Sequence, residues 1–256
     1  MKRVIYVVIA LMLILAMTAC SNVPKNNVLS PNDVSGKRIG VMQDSAAVYY
    51  TRDYGTVYTY ATGDSLAEDL KNGSLDCVIA DKIIAESLVS RKSGIKILDE
   101  PFVERELSFV VAKENADLTE AINGALEQLE ISGVLQNIID SYIPGSDYNY
   151  SDVRVPAEQT FKLKLVVPND FPPYDIETPG SGVTGMDIDI AHAVCDILGA
   201  ALELQPTDHE NLINEVWYGY AGIALGDLAK NDADAANVDF SEPYTTSTQV
   251  IIVRKR

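Results

Sequence analysis

The stretch LKLVVPNDFPPYDIETPGSGVTGMDIDI, residues 163–190, decides the fold because a strand, a turn, a glycine-rich hairpin and a helix follow one another in it. The apolar run at 162–168 is typical of a buried strand. Met186–Leu198 repeats apolar residues at helical spacing, with Ile190 and Val194 on the same face. Further strands and helices alternate up to residue 254. This alternation predicts an α/β lobe over residues 161–256 with a mainly parallel sheet.

A second alternating series precedes it. KRIGVM (37–42), LDCVIA (75–80) and ELSFVVA (106–112) are predicted strands, while Lys82–Ser90 and Val134–Tyr142 are among the predicted helices. Residues 36–143 are therefore expected to form a second α/β lobe. Residues 144–160 break every period and are predicted to be a linker. We expect two lobes, each with its own sheet, joined by two crossings near Thr160 and another near residues 105–118, with a cleft between them.

The composition of the chain argues against several classes of function. The chain has 256 residues, 47% of them hydrophobic and 22% charged, which is ordinary for a folded protein. Its formal net charge of −17 argues against nucleic-acid binding, which needs basic patches. Three cysteines, Cys20, Cys77 and Cys195, lack metal-site spacing, and the chain has two histidines. We therefore expect no metal site and no cofactor.

The N-terminus predicts export. Lys2 and Arg3 precede the apolar run Val4–Ala19, which suits a signal peptide over residues 1–19. The run ends in small residues before Cys20 and resembles the lipobox of bacterial lipoproteins, although Met17 replaces the usual leucine. We expect Cys20 to be lipidated, residues 20–35 to be a tether, and the lobes to lie outside the membrane. An uncleaved hydrophobic anchor is the alternative.

The remaining cysteines lie in apolar runs of different halves of the chain. Cys77 and Cys195 are able to pair in an oxidising compartment, but we favour free, buried thiols.

Gly180, Gly182 and Gly185 imitate a dinucleotide-binding fingerprint, with Glu203 at the position of its acidic residue. That fingerprint needs its first glycine directly after the strand. Here eleven residues containing two adjacent prolines intervene. We interpret the glycines as a hairpin before a helix.

The motifs together resemble the amino-acid-type extracellular solute-binding proteins of ABC importers. FPPY (171–174), GMDIDI (185–190) and VDFSEPY (238–244) are similar to motifs of that family's first lobe, with Met186 in place of phenylalanine. GKRIGVMQDSAA (36–47) and LKNGSLDCVIAD (70–81) are similar to motifs of its second lobe. The resemblance implies a type 2 periplasmic-binding-protein fold with a ligand cleft between the lobes.

The order of these motifs differs from that of the family, in which the lobe with FPPY comes first. The chain therefore resembles a circular permutant, with residues 144–160 joining the usual termini. A truncated tandem of two binding domains is the alternative. Because the two halves of the chain complement each other, two copies could also exchange halves and form a swapped dimer.

The resemblance also implies site residues. Asp44 and Ser45 match a strand-to-helix turn that binds an anion, and Asp81 matches the aspartate that takes an ammonium group. Phe171 and Tyr174 match aromatic residues that wall the ligand. Asp81 is alternatively only a helix N-cap, and the aromatic residues only core packing.

The family's carboxylate-binding arginine is missing, because Asp234 falls at its position. Gly226, Asp227 and Lys230 complete the expected binding region, with Lys230 as its one nearby cation. A solvated loop is the alternative for the aspartates here. We expect a membrane-anchored receptor that binds a small polar solute, an amino acid or an amine, and delivers it to an ABC permease. A sensory or degenerate binding module, or an enzyme derived from this fold, is the alternative; neither histidine lies in a matched motif.

Overall fold

The computed structural model of the protein describes residues 23–43, 45–142, 146–168, 170–230 and 236–255. The predicted signal peptide, Cys20, Asp44 and Asp234 lie outside these residues. Within them, no helix combines the length and the apolar character needed to cross a bilayer. The same residues contain no group of three or more His, Cys, Asp or Glu side chains placed to hold a metal ion.

The first half of the chain alternates strands and helices before it ends in two consecutive helices. Its strands are β1 (Arg38–Met42), β2 (Thr56–Tyr60), β3 (Cys77–Asp81), β4 (Ile95–Ile97), β5 (Val103–Leu107) and β6 (Val110–Ala112). Its helices are α1 (Ala46–Thr51), α2 (Gly63–Asn72), α3 (Lys82–Arg91), α4 (Ala116–Ile131) and α5 (Val134–Ser141).

The second half repeats the alternation with an added hairpin. Its strands are β7 (Phe161–Val167), β8 (Asp170–Phe171), β9 (Asp175–Thr178), β10 (Gly182–Thr184), β11 (Ala200–Pro206), β12 (Ile223–Ala224), β13 (Val238–Phe240) and β14 (Thr245–Arg254). Its helices are α6 (Met186–Leu198) and α7 (Leu212–Trp217). Three short 3-10 helices lie at Pro31–Asp33, Tyr150–Asp152 and His209–Asn211.

Two sheets carry the two lobes, and both have the same plan. The first has the order β2-β1-β3-β14-β4, and the second has the order β11-β7-β12-β6-β13. In each, the first three strands pair in parallel and the fourth is antiparallel to its neighbours. The two-lobed α/β architecture expected from the sequence is confirmed.

Each antiparallel strand comes from the other half of the chain. The polypeptide leaves the first sheet after β5 to form β6, and leaves the second sheet after β13 to form β14. The two crossings lie side by side: the Ser241 N–H donates to the Phe109 carbonyl at 2.9 Å and the Tyr244 N–H to the Leu107 carbonyl at 2.9 Å. Strand β5 also pairs with β14, so a two-stranded ribbon links the lobes.

The expected crossings near Thr160 are not at that position. Residues 150–160 instead lie along α6, where Arg154 forms an ion pair with Asp196 at 2.8 Å and the Thr160 N–H bonds to Gly199. Helices α4 and α5 pack on α6 as well. The linker therefore stays within the second lobe because buried Asp196 attracts Arg154 and Tyr150.

Two further expectations differ from the structure. The predicted strand over 106–112 is interrupted at Ser108 and Phe109, where the chain passes from one sheet to the other. Val28 and Val34, expected in the tether, are fully buried against Ile39 and Cys77. Their apolar side chains pack under β1, so residues 28–34 belong to the first lobe. Cys77 and Cys195 are free and buried, as predicted.

The glycine-rich segment forms the β9–β10 hairpin, and Gly185 follows it at the start of α6. The φ of Gly185 is 141°, and a Cβ there would lie 2.0 Å from the Tyr174 carbonyl oxygen. Only glycine allows this approach between the hairpin and the FPPY turn.

Candidate functional site

A cavity of about 410 Å³ lies between the two lobes, and we call it the Asp81 cavity. The carboxyl end of β3 opens onto it, which is the usual location of ligands in open α/β sheets. Both lobes and the linking ribbon contribute to its wall. Its lining includes Met42, Ser45, Asp81, Lys82, Ile83, Ile84, Ile139, Tyr142, Pro172, Pro173, Tyr174, Ile176, Met186, Thr245, Thr246, Thr248 and Gln249.

Of the described residues in this wall, Asp81 alone carries a carboxylate. As the N-cap of α3 it accepts a hydrogen bond from the Ile83 N–H at 3.0 Å, so both roles considered from sequence are compatible with its position. Among the described residues, no basic side chain forms an ion pair with it. Burial raises the pKa of Asp81, and the N–H of Ile83 opposes that rise.

Gln249 lies directly opposite Asp81 in the antiparallel pairing of β3 with β14. It is fully buried, and neither its oxygen nor its nitrogen has a hydrogen-bond partner among the described residues. A buried unpaired polar group costs about 1–3 kcal/mol, so a ligand that meets it would regain that free energy. Sequence analysis predicted this strand but missed Gln249, because a strand assignment does not give the register.

A second cavity, of about 570 Å³, lies beside Ser45, and we call it the Tyr49 cavity. The Tyr49 ring lies 5.9 Å from the Phe171 ring and 5.1 Å from the His209 ring. The Arg52 guanidinium carbon lies 4.5 Å above the Tyr49 ring. Phe171 therefore faces tyrosines of the other lobe, whereas Tyr174 borders the Asp81 cavity.

Asp227 is buried between the lobes, with only 1% of its surface exposed. Its carboxylate accepts a hydrogen bond from the Tyr50 hydroxyl and forms an ion pair with Arg105 at 3.2 Å. Burial raises the pKa of Asp227 to about 6, although Arg105 and Tyr50 both lower it. Its φ of 54° places it in the left-handed region, which aspartate tolerates better than most residues.

Arg105 supplies a guanidinium that the sequence did not predict for this site. No arginine lies near Asp227 in the chain, between Val155 and Ile252, and Arg105 belongs to the other half. It comes from β5 and also donates to the Asp227 carbonyl oxygen at 2.9 Å. Only the pairing of β5 with β14 brings it there. This guanidinium binds Asp227 rather than standing free in the Asp81 cavity.

Gly226 and Lys230 do not line the Asp81 cavity. The N–H of Gly226 donates to Asp187, one of two fully buried carboxyl groups, and the Tyr244 hydroxyl donates to the same Asp187 at 2.8 Å. Lys230 is exposed and lines a third cavity, of about 610 Å³, with Arg105. The described site residues predicted from sequence are thus divided among several places, with Ser45, Asp81 and Tyr174 together at the Asp81 cavity.

Two donors of the turn after β1 are already engaged. The Ser45 hydroxyl donates to the Met42 carbonyl at 2.7 Å, and the Ala46 N–H donates to the Pro172 carbonyl at 3.0 Å. The second bond ties the first lobe to the FPPY turn of the second. Neither group is therefore available to an anion in this arrangement.

Comparison with known proteins finds similarity over the second half of the chain. Residues 163–256 match the family described as "Bacterial extracellular solute-binding proteins, family 3". The chain is 26% identical over 127 residues to the L-cystine-binding protein TcyJ of Escherichia coli (strain K12), covering 48% of this chain and 47% of that protein. It is 28% identical over 120 residues to ABC transporter arginine-binding protein 1 of the same strain, covering 44% and 49%. The chain spans about half the length of these curated relatives.

Among solved structures, the fold is similar to a phosphate-binding protein of a phosphate ABC transporter from Streptococcus pneumoniae TIGR4. The TM-score is 0.51 at 10% sequence identity, and the match covers 86% of this chain and 90% of the other. At this identity the likeness concerns the fold alone.

Proposed function

Because residues 163–256 match the model of the bacterial extracellular solute-binding proteins of family 3, we propose that this protein is a solute receptor of an ABC importer. It binds a small polar solute, an amino acid or an amine, between its lobes and presents it to a permease. The curated relatives described above are named as binding proteins, which supports binding rather than catalysis.

One observation carries the proposal: a cavity of about 410 Å³ lies between the lobes, and Asp81 is the one carboxylate that the described residues contribute to its wall. Its size lies within the range of small-molecule sites, about 300–1,000 Å³. Few polar groups in a mainly apolar wall are also typical of such sites. Asp81 is the group that would orient the solute.

The same proposal covers attachment and chain order. We keep Cys20 as a lipidated residue that anchors the receptor on the outer face of the membrane. We also keep the permuted order of the lobes, which is supported by two sheets of one plan that exchange β6 and β14.

A thermal-shift screen of the purified full chain against amino acids, amines and small peptides tests the receptor proposal. A solute that raises the unfolding temperature progressively as its concentration increases supports it. Absence of any stabilising solute, or consumption of a bound solute with release of product, would contradict it. Loss of fatty-acid labelling in the Cys20→Ala variant tests the anchor separately.

A further inference from the structure

We infer that the Asp81 cavity takes a primary amine with an apolar body and no carboxylate, and that Gln249 is a specificity-determining contact for its ammonium group. This inference rests on the proposed function, since it names the class of solute that the receptor would carry.

Two acceptors for an ammonium group, the Asp81 carboxylate and the Gln249 side-chain oxygen, belong to neighbouring residues of the sheet. Directly opposed residues of antiparallel strands have Cβ atoms about 4.5–5.5 Å apart on one face of the sheet, so Asp81 and Gln249 are neighbours. Asp81 accepts a single backbone hydrogen bond, and the Gln249 oxygen accepts none from the described residues. An ammonium has three donors and no acceptor, so it is able to bond both oxygens at once.

The rest of the wall suits an apolar body. Side chains from both lobes surround the carboxylate with methyl, methylene and ring surfaces, from Met42, Ile84, Ile139, Pro173 and Met186. Burial of such a body contributes roughly 25 cal/mol for each Å² of apolar surface removed from water.

A carboxylate on the solute would find no free buried cation among the described residues of this cavity, and only the neutral Gln249 amide as an unpaired buried side-chain donor. The hydroxyl of Ser45 and the N–H of Ala46 are bonded within the protein, and Arg105 is paired with Asp227. Of the basic side chains in the described part of the chain, only Lys82 lines the cavity, and it is exposed at the rim. A carboxylate would therefore lose water without gaining a buried charged partner.

Calorimetric titration of the full chain with matched probes tests this inference. The probes are phenethylamine, L-phenylalanine and 3-phenylpropionate, which share one ring and differ in their charged groups, together with the pair 3-methylbutylamine and L-leucine. We expect at least one amine to bind about tenfold or more tightly than its amino acid. We expect no binding of 3-phenylpropionate.

Two variants connect the binding to the named residues. Asp81→Asn keeps the N-cap and removes the charge, so amine affinity should fall about 30-fold or more. Asp99→Asn, on an exposed aspartate outside the cavity, is the matched control and should bind normally. Gln249→Leu should weaken amine binding about tenfold or more while raising the urea midpoint, because it removes two unpaired buried groups.

The outcomes separate the inference from the receptor proposal. Tighter binding of both amino acids than of their amines, or amine affinity unchanged in Gln249→Leu, would overturn the inference and leave a receptor for amino acids. Failure of every amine, amino acid and peptide to bind would overturn both.

Discussion

Tyr50 and Asp227 join the two lobes through one buried hydrogen bond, with the tyrosine hydroxyl as donor and the carboxylate as acceptor. Tyr50 lies on α1 of the first lobe, and Asp227 follows β12 of the second. The Tyr50 ring also lies edge-on to Phe171, 6.1 Å between centroids. The two lobes are therefore also joined at a point outside the Asp81 cavity.

Tyr50→Phe should lower the free energy of unfolding by about 1–3 kcal/mol, because the buried Asp227 carboxylate loses the hydroxyl that donates a hydrogen bond to it. Urea unfolding measures the change. Tyr218→Phe, which alters an exposed ring, serves as the control. Equal stability of both variants would show that the Tyr50 hydroxyl contributes nothing to the contact between lobes.

Arg105→Gln should destabilise the protein because it leaves the Asp227 charge buried without its cation. The Arg105 side chain is 36% exposed, so solvent screens part of this effect and the loss should stay below that of a fully buried pair. Adding Asp227→Asn removes the orphaned charge and keeps a residue that tolerates positive φ. The double variant should be more stable than Arg105→Gln alone, and a double-mutant cycle of unfolding free energies decides it.

Asp175 and Asp187 should make stability depend on pH. Burial raises the pKa of both groups, that of Asp187 from 3.8 to about 7, and a side-chain hydrogen bond between the two carboxyl groups raises the pKa of Asp175 further. A carboxyl group whose pKa is raised by folding holds a proton that the unfolded chain releases. Its contribution is therefore complete below the unfolded value and is lost as the pH rises from about 4 to about 7.

Asp175→Asn keeps an N–H donor toward Asp187 and removes the shared proton. The variant should gain stability relative to the parent as the pH rises through this range. Urea unfolding at several pH values measures the difference between the two proteins. A difference that does not change with pH would contradict the shared proton.

Amine binding should weaken on acidification. Burial raises the pKa of Asp81, so this carboxylate is neutralised at a higher pH than an exposed aspartate. Glu86 adds to the rise by repulsion. Because the amine stays protonated, the affinity lost at lower pH would report Asp81. Titration of phenethylamine at stepwise lower pH measures it, and a flat profile would exclude Asp81 as the anchor.

The purified full chain should be a monomer in light scattering, close to the 27.9 kDa of one copy before any processing. Each sheet receives its antiparallel strand from the same chain, so no second copy is needed to complete either lobe. A dimer that dissociates only on unfolding would indicate that copies exchange lobes.

Sequence reasoning predicted the elements that repeat regularly and missed the places where the chain changes sheets. KRIGVM and Met186–Leu198 were recognised because their apolar residues follow one period throughout. The break at Ser108 carries no such sign, because its neighbours on both sides are apolar. Strand β13, of three residues, is too short to show a period.

The sequence predicted a site residue correctly only where its position depends on local chain order and not on the pairing of distant strands. Asp81 ends β3 and begins α3, so its place at the cleft follows from local order. Gln249 and Arg105 depend on the register of β14 with β3 and β5, which pairing of distant segments decides. The sequence therefore predicted a site without a guanidinium near Asp227, although Arg105, distant in the chain, forms an ion pair with it.

The exchange of β6 and β14 also bears on how the protein forms during synthesis. The first sheet needs β14 between β3 and β4, yet residues 245–254 leave the ribosome last among the described strands. The edges of β3 and β4 in the first lobe therefore stay unpaired until the second lobe has been synthesised. Such long-range pairing is intrinsically slow and exposes aggregation-prone edges.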